Sequence, residues 1–98
     1  MSSYVLTQTA EDELGDHLRF IAEEASEDRA LRVLEKFLEA FELLADTPGI
    51  GFHRPHLTGP ELRWWPVFRF LVVYDPETTP LTVMRVLHSS QNLDRLFP

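Results

Sequence analysis

The sequence predicts an α+β domain in the order β-α-α-β-β-β(-α), a small antiparallel-rich sheet packed against a helical hairpin, with residues 1–98 forming one domain. Three observations predict it. Apolar residues recur every three or four positions from Leu14 to Leu44, which is helical spacing. From Leu62 onward they come instead in aromatic and β-branched runs, as in strands. A further β-prone run, Tyr4-Val5-Leu6-Thr7, precedes the helices. Strands thus flank the hairpin, and one sheet covered on one face by two helices accommodates all of them.

The elements follow in order. Thr9 is the expected N-cap of the first helix, because Glu11 and Asp12 then lie in the first turn, where the helix dipole favours acids. Leu14, Leu18, Ile21 and Ala25 form its apolar stripe. Ser26 is the N-cap of the second helix, with Glu27 and Asp28 behind it. Ala30, Leu34, Phe37, Phe41 and Leu44, flanked by Leu31, Leu38 and Ala45, give this helix a wider apolar face. The short break at Ala25-Ser26 makes the two an antiparallel hairpin whose outer face holds nearly all the acids. Pro48-Gly49-Ile50-Gly51 ends the second helix, and a loop rich in breakers runs through Pro55, Gly59 and Pro60. Leu62–Trp65 and Phe70–Tyr74 read as strands, Asp75–Pro80 as a hairpin loop, and Leu81–Leu87 as the last strand. Ser89 or Ser90 caps a final helical turn through Asn92, Leu93 and Leu96.

Charge is unevenly placed. Residues 1–47 carry twelve acids against four bases, a net of −8. Residues 48–98 carry four acids against five arginines, a net of +1. Non-specific nucleic-acid binding needs many cationic phosphate contacts, so the first half would repel a phosphate backbone. There is no cysteine, which excludes disulfides, thiolate metal sites and cysteine nucleophiles. No stretch approaches the ~20 apolar residues of a membrane span, and Met1-Ser2-Ser3-Tyr4 carries no sign of a signal peptide. A cytoplasmic protein without membrane contact is expected.

The residues able to do chemistry are few. Arg63, Arg69, Arg85 and His88 lie on or beside the expected strands. Arginine can hold a phosphate in a two-pronged hydrogen bond, and histidine can move a proton near neutral pH. Arg63 and Arg85 can equally serve structure, pairing with a carboxylate or carbonyl while their stems cover aromatics. Strand alternation opposes Arg85 to His88, since they stand an odd number of residues apart. The one lysine, Lys36, falls on the acidic helix, away from any sheet-face cluster. His17, His53 and His56 are expected at the surface. His53 and His56 have no third metal ligand in view, so neither a metal nor any other cofactor is expected. Trp64 and Trp65 point to opposite faces, one to the core and the other toward a partner.

The ordered set Tyr4–Thr7 with Ala10, Asp12-Glu13-Leu14, Phe20–Glu23, Leu43–Pro48, Gly51, Leu62–Val67, Tyr74, Arg85–His88 and Asn92-Leu93-Asp94 resembles the ParE/RelE superfamily of type II toxin–antitoxin toxins along the whole chain. Two departures stand out. Phe68 occupies a turn where many relatives place glycine, and a different turn is expected of a residue without glycine's freedom at positive φ. After the last strand, relatives commonly read His-Gly-x-Arg-Asp-Leu, where this chain has His88-Ser89-Ser90-Gln91-Asn92-Leu93 and lacks the basic residue.

The resemblance implies a toxin of the ParE-like, plasmid-stabilisation branch that inhibits DNA gyrase by binding, and that a cognate antitoxin neutralises. Target contacts would come from Arg63, Trp65, Arg69, Arg85, Asn92 and Arg95, and antitoxin contacts from Leu31, Leu38 and Phe41. Such antitoxins carry the DNA-binding part, so DNA is contacted only through the antitoxin. The superfamily's other branch cuts mRNA in the ribosome. On that alternative Arg63, Arg85 and His88 would be catalytic. A third alternative is an inactive toxin-fold module for protein interaction. The thin basic set favours the ParE-like branch.

Overall fold

The computed structural model describes residues 3–97; Met1-Ser2 and Pro98 lie outside them. Strand β1 (Tyr4–Leu6) leads into α1 (Gln8–Glu24) and α2 (Glu27–Asp46). A 3-10 turn (Pro48–Ile50) and a short helix α3 (Pro55–Thr58) fill the segment expected to be loop. Strands β2 (Arg63–Val67), β3 (Phe70–Asp75) and β4 (Leu81–His88) follow, and α4 (Leu93–Leu96) ends the described chain. The sheet order is β1-β4-β3-β2, with β1 parallel to β4 and the other pairs antiparallel.

The hairpin covers one face of the sheet. Phe37, Phe41 and Leu44 of α2 and Ala10 and Leu14 of α1 meet Phe70, Val72, Tyr74, Leu81, Val83 and Val86. The other face is covered as well, though not by the hairpin. Trp64, Leu71, Val73 and Leu87 form a second, smaller cluster there, closed by Leu57 of α3, by Leu93 of α4 and by Phe97 just after it. Trp64 is fully buried in that cluster, and its indole N–H donates to the Thr58 hydroxyl at 2.9 Å. Trp65 is half-buried against the helical side, so the pair divides between faces as strand alternation requires.

Two caps differ from expectation. Thr7, not Thr9, caps α1: its Oγ1 accepts from the Ala10 N–H at 3.1 Å and donates to the Met84 carbonyl at 2.8 Å. The same hydroxyl therefore starts the helix and ties it to β4. Asn92, not Ser89 or Ser90, caps α4. Ser26 caps α2 as read, accepting from the Arg29 N–H at 3.0 Å.

Strand β1 covers only Leu81 to Val83 of its neighbour. Beyond it, side chains serve the edge of β4. The Thr7 hydroxyl takes the Met84 carbonyl, Glu13 Oε1 accepts from the Val86 N–H at 3.0 Å, and His17 Nε2–H donates to the Val86 carbonyl at 2.9 Å. Gln91 Oε1 accepts from the His88 N–H at 2.7 Å. This edge is therefore closed without a partner strand. At the opposite edge Phe52 exchanges both backbone bonds with Trp64, and Pro66 has no N–H to offer.

The β2–β3 turn keeps glycine's geometry without glycine. Phe68 sits at φ 54°, the left-handed region, so the expected change of turn does not occur. Phe68 is 67% exposed, and its ring is not held by the core.

Candidate functional site

Arg85 is committed to structure. Its Nε donates to Glu13 Oε1 and Oε2 at 3.0 and 3.1 Å, and its Nη2 donates to Oε2 at 2.7 Å. The planar guanidinium matches the carboxylate fork, and both side chains are at least three-quarters buried. Its carbon Cζ also stands 5.5 Å from the Phe97 ring centroid. Arg63 is committed as well, donating from Nη1 to the Gly51 carbonyl at 2.7 Å. The carbonyl and carboxylate roles noted from sequence are thus the ones that these two arginines fill.

His88 lies on the other face of the sheet from Arg85. It pairs with Phe70, whose ring it meets edge-on at 5.1 Å, whereas Arg85 pairs with Val73 of the second cluster. The Ser90 N–H donates to His88 Nδ1 at 3.1 Å, so that nitrogen carries a lone pair and neutral His88 holds its proton on Nε2. The set Arg63, Arg85 and His88 therefore does not converge.

A different group gathers around Phe70. His17, Phe20, Ile21, Arg69, His88 and Ser90 line with it an apolar cavity of about 520 Å³. His17 is half-buried here rather than a surface residue, its ring 4.9 Å from that of Phe70. Sequence reasoning missed it because its partner, the Val86 carbonyl, lies 69 residues away. Arg69 is exposed beside the turn.

The remaining site residues separate cleanly. Asn92 is spent on the α4 cap, while Arg95 is exposed. Leu31 and Leu38 are exposed on α2, but Phe41 is fully buried against Tyr4 and Phe37 and offers no free surface. Helical spacing placed Phe41 on the core stripe, and packing against the sheet holds it there, so the antitoxin contact expected of it is not available. Lys36 lies on α2 as read and pairs with Glu39 at 3.3 Å. It borders the β2–β3 turn at Phe68, and two grooves meet there. Among the described residues, no group of three His, Asp or Glu side chains is placed to hold a metal ion. No helix among them is long and apolar enough to cross a membrane.

Tyr74 anchors the segment that reaches Arg63. Its hydroxyl donates to the Pro48 carbonyl at 2.6 Å and accepts from the Gly51 N–H at 2.9 Å. Burial raises its pKa, against smaller opposing effects of the Gly51 N–H and the Arg63 charge.

The model of one family, the ParE toxin of type II toxin–antitoxin (parDE) systems, matches residues 4–93. The chain belongs to the ParE toxin family. Among solved structures it is similar to a chain of the chromosomal ParDE toxin–antitoxin system from P. aeruginosa, with a TM-score of 0.73 and 18% identity over 90% of this chain and 96% of that one. At that identity the likeness speaks for the fold, which is the ParE-like α+β arrangement of sheet and hairpin. No sequence among curated proteins matches the chain.

Proposed function

We propose that this ParE-family chain poisons DNA gyrase by binding it, and that a cognate antitoxin neutralises it. The observation that carries this reading is the capture of Arg85 by Glu13, on the sheet face away from His88. General acid–base cleavage of RNA needs a phosphate-holding cation and a proton-moving group within reach of one another. Arg63 and Arg85 are each engaged elsewhere, which supports action by contact. Purified toxin added to gyrase should stop supercoiling of relaxed plasmid, and the product of the neighbouring reading frame should restore it. Unimpaired supercoiling at high toxin excess would sink the gyrase target.

One observation favours a second reading, ribosome-dependent cleavage of mRNA: Arg69 and His88 share the cavity around Phe70 with His17. Primer extension on translated mRNA tests it. Codon-positioned cuts that vanish in His88→Ala would support the nuclease; an uncut message on toxin expression would remove it.

A further inference from the structure

Two grooves meet along the flank of α2 that faces edge strand β2. Arg29, Arg32, Val33 and Lys36 border Phe68 in one, of about 240 Å³. In the other, of about 270 Å³, Lys36, Ala40 and Leu43 face Trp65, Pro66 and Phe68. Phe68 and Lys36 belong to both, so the surface is continuous: cationic at one end and apolar at the other. Among the described residues Glu39 is the one acid that borders either groove, and it is paired with Lys36 at 3.3 Å. This is a local reversal of sign in a chain of net charge −7.

The turn supplies an independent observation. Phe68 holds a left-handed φ of 54° while 67% exposed. A bulky residue there costs backbone energy that glycine would not, and the core gains little from the ring. Strain kept at an exposed aromatic marks a contact residue.

We propose that this groove is where the toxin contacts its target, and that it takes an acidic element of the target protein carrying an apolar side chain. Arg29, Arg32 and Lys36 would meet the acids; Phe68, Trp65 and Leu43 would seat the apolar anchor. The occupant is the target rather than the antitoxin on grounds of charge. The outer face of the hairpin, with exposed Leu31 and Leu38 among acids, calls for a basic antitoxin segment. A basic segment is repelled by the groove. Three cations beside an apolar floor also suit a protein better than a phosphate backbone. The inference rests on the reading that the chain acts by contact, but not on gyrase being the target.

The test expresses Phe68→Gly and the double variant Arg29→Glu/Arg32→Glu in cells lacking the antitoxin. Growth arrest, antitoxin retention on co-purification and the urea midpoint are read in parallel. Phe68→Gly should fold at least as stably as wild type and keep the antitoxin, while toxicity falls by about tenfold or more. The charge reversal should act likewise. Arrest equal to wild type in both variants overturns the proposal. So does a parallel loss of antitoxin binding, which gives the groove to the antitoxin, or RNA binding by wild type that the charge reversal abolishes. Wild-type arrest with normal supercoiling sinks gyrase alone, because the variants still report on the groove. A wild-type chain that arrests nothing overturns both.

Discussion

Glu13 and Arg85, 72 residues apart in sequence, form a two-pronged ion pair in which the same carboxylate also accepts the Val86 N–H at 3.0 Å. The pair closes the edge of β4 where β1 ends, and so joins α1 to the sheet. Glu13→Ala strands a partly buried guanidinium and a backbone N–H together. It should cost about 2–3 kcal/mol, below the cost for a fully buried pair because both side chains keep some solvent contact. Glu13→Gln keeps an acceptor for Val86 and should cost roughly half as much. Urea denaturation measures both; a loss under ~0.5 kcal/mol for the alanine variant would show the pair to be incidental.

Tyr74 makes stability depend on alkaline pH. Its ordinary pKa is 10.0, and burial raises it in the folded state. Below the unfolded value both states keep the proton, and the contribution is complete. Above it the unfolded chain loses the proton first, so stability falls as pH rises toward the folded value. Tyr4 adds to the same fall, its pKa raised by burial and by the nearby Glu42 charge. Tyr74→Phe should flatten part of the alkaline decline. It should also cost about 1–3 kcal/mol at neutral pH, since the Pro48 carbonyl and Gly51 N–H lose their partner. Thermal melts from pH 8 to 11 on both proteins check the sign, the range being set by the ordinary tyrosine pKa of ~10. An unchanged alkaline slope in the variant would refute the assignment.

Gly51 is required by contact, not by backbone conformation. Its φ of −67° suits any residue, yet an added Cβ would lie 2.8 Å from Tyr74 Cε1 and 2.9 Å from Cζ. Gly51→Ala should therefore destabilise by about 1–3 kcal/mol through overpacking. Combined with Tyr74→Ala, which removes the ring, the second change should cost much less than it does alone. Additive urea midpoints in the double variant would contradict this coupling.

The legible parts of the fold were those set by local pattern. Residues Leu14 to Leu44 announced the hairpin by their spacing, and the aromatic runs after Leu62 announced the strands, because burial of one face imposes a period that survives in any window. The illegible parts depend on distant partners. Thr7 caps α1 because its hydroxyl also reaches Met84, 77 residues away, and nothing near Thr7 or Thr9 distinguishes them. Arg85 could be read as free or paired until Glu13 came to stand beside it. Its opposition to His88 was legible, since strand alternation needs only counting. The cationic groove was half legible: Arg29, Arg32 and Lys36 share a helical flank by their spacing, but only the folded β2–β3 turn puts Phe68 against them.

Leu38 and Phe41 separate a binding role from a structural one on the same helix. Leu38 is 41% exposed, whereas Phe41 is fully buried, 5.3 Å from the Tyr4 ring centroid. Leu38→Glu should leave stability within about 0.5 kcal/mol of wild type, because little packing is lost. It should weaken the antitoxin by about tenfold if a basic, apolar segment covers this face, since an interface anchor is removed while its surroundings remain. Phe41→Ala should cost about 3–5 kcal/mol through the cavity it leaves, and reduce antitoxin retention only by unfolding the toxin. Co-purification with the neighbouring frame's product, read beside a urea midpoint for each variant, distinguishes the two. Full antitoxin retention by folded Leu38→Glu would place the antitoxin on another face of the hairpin.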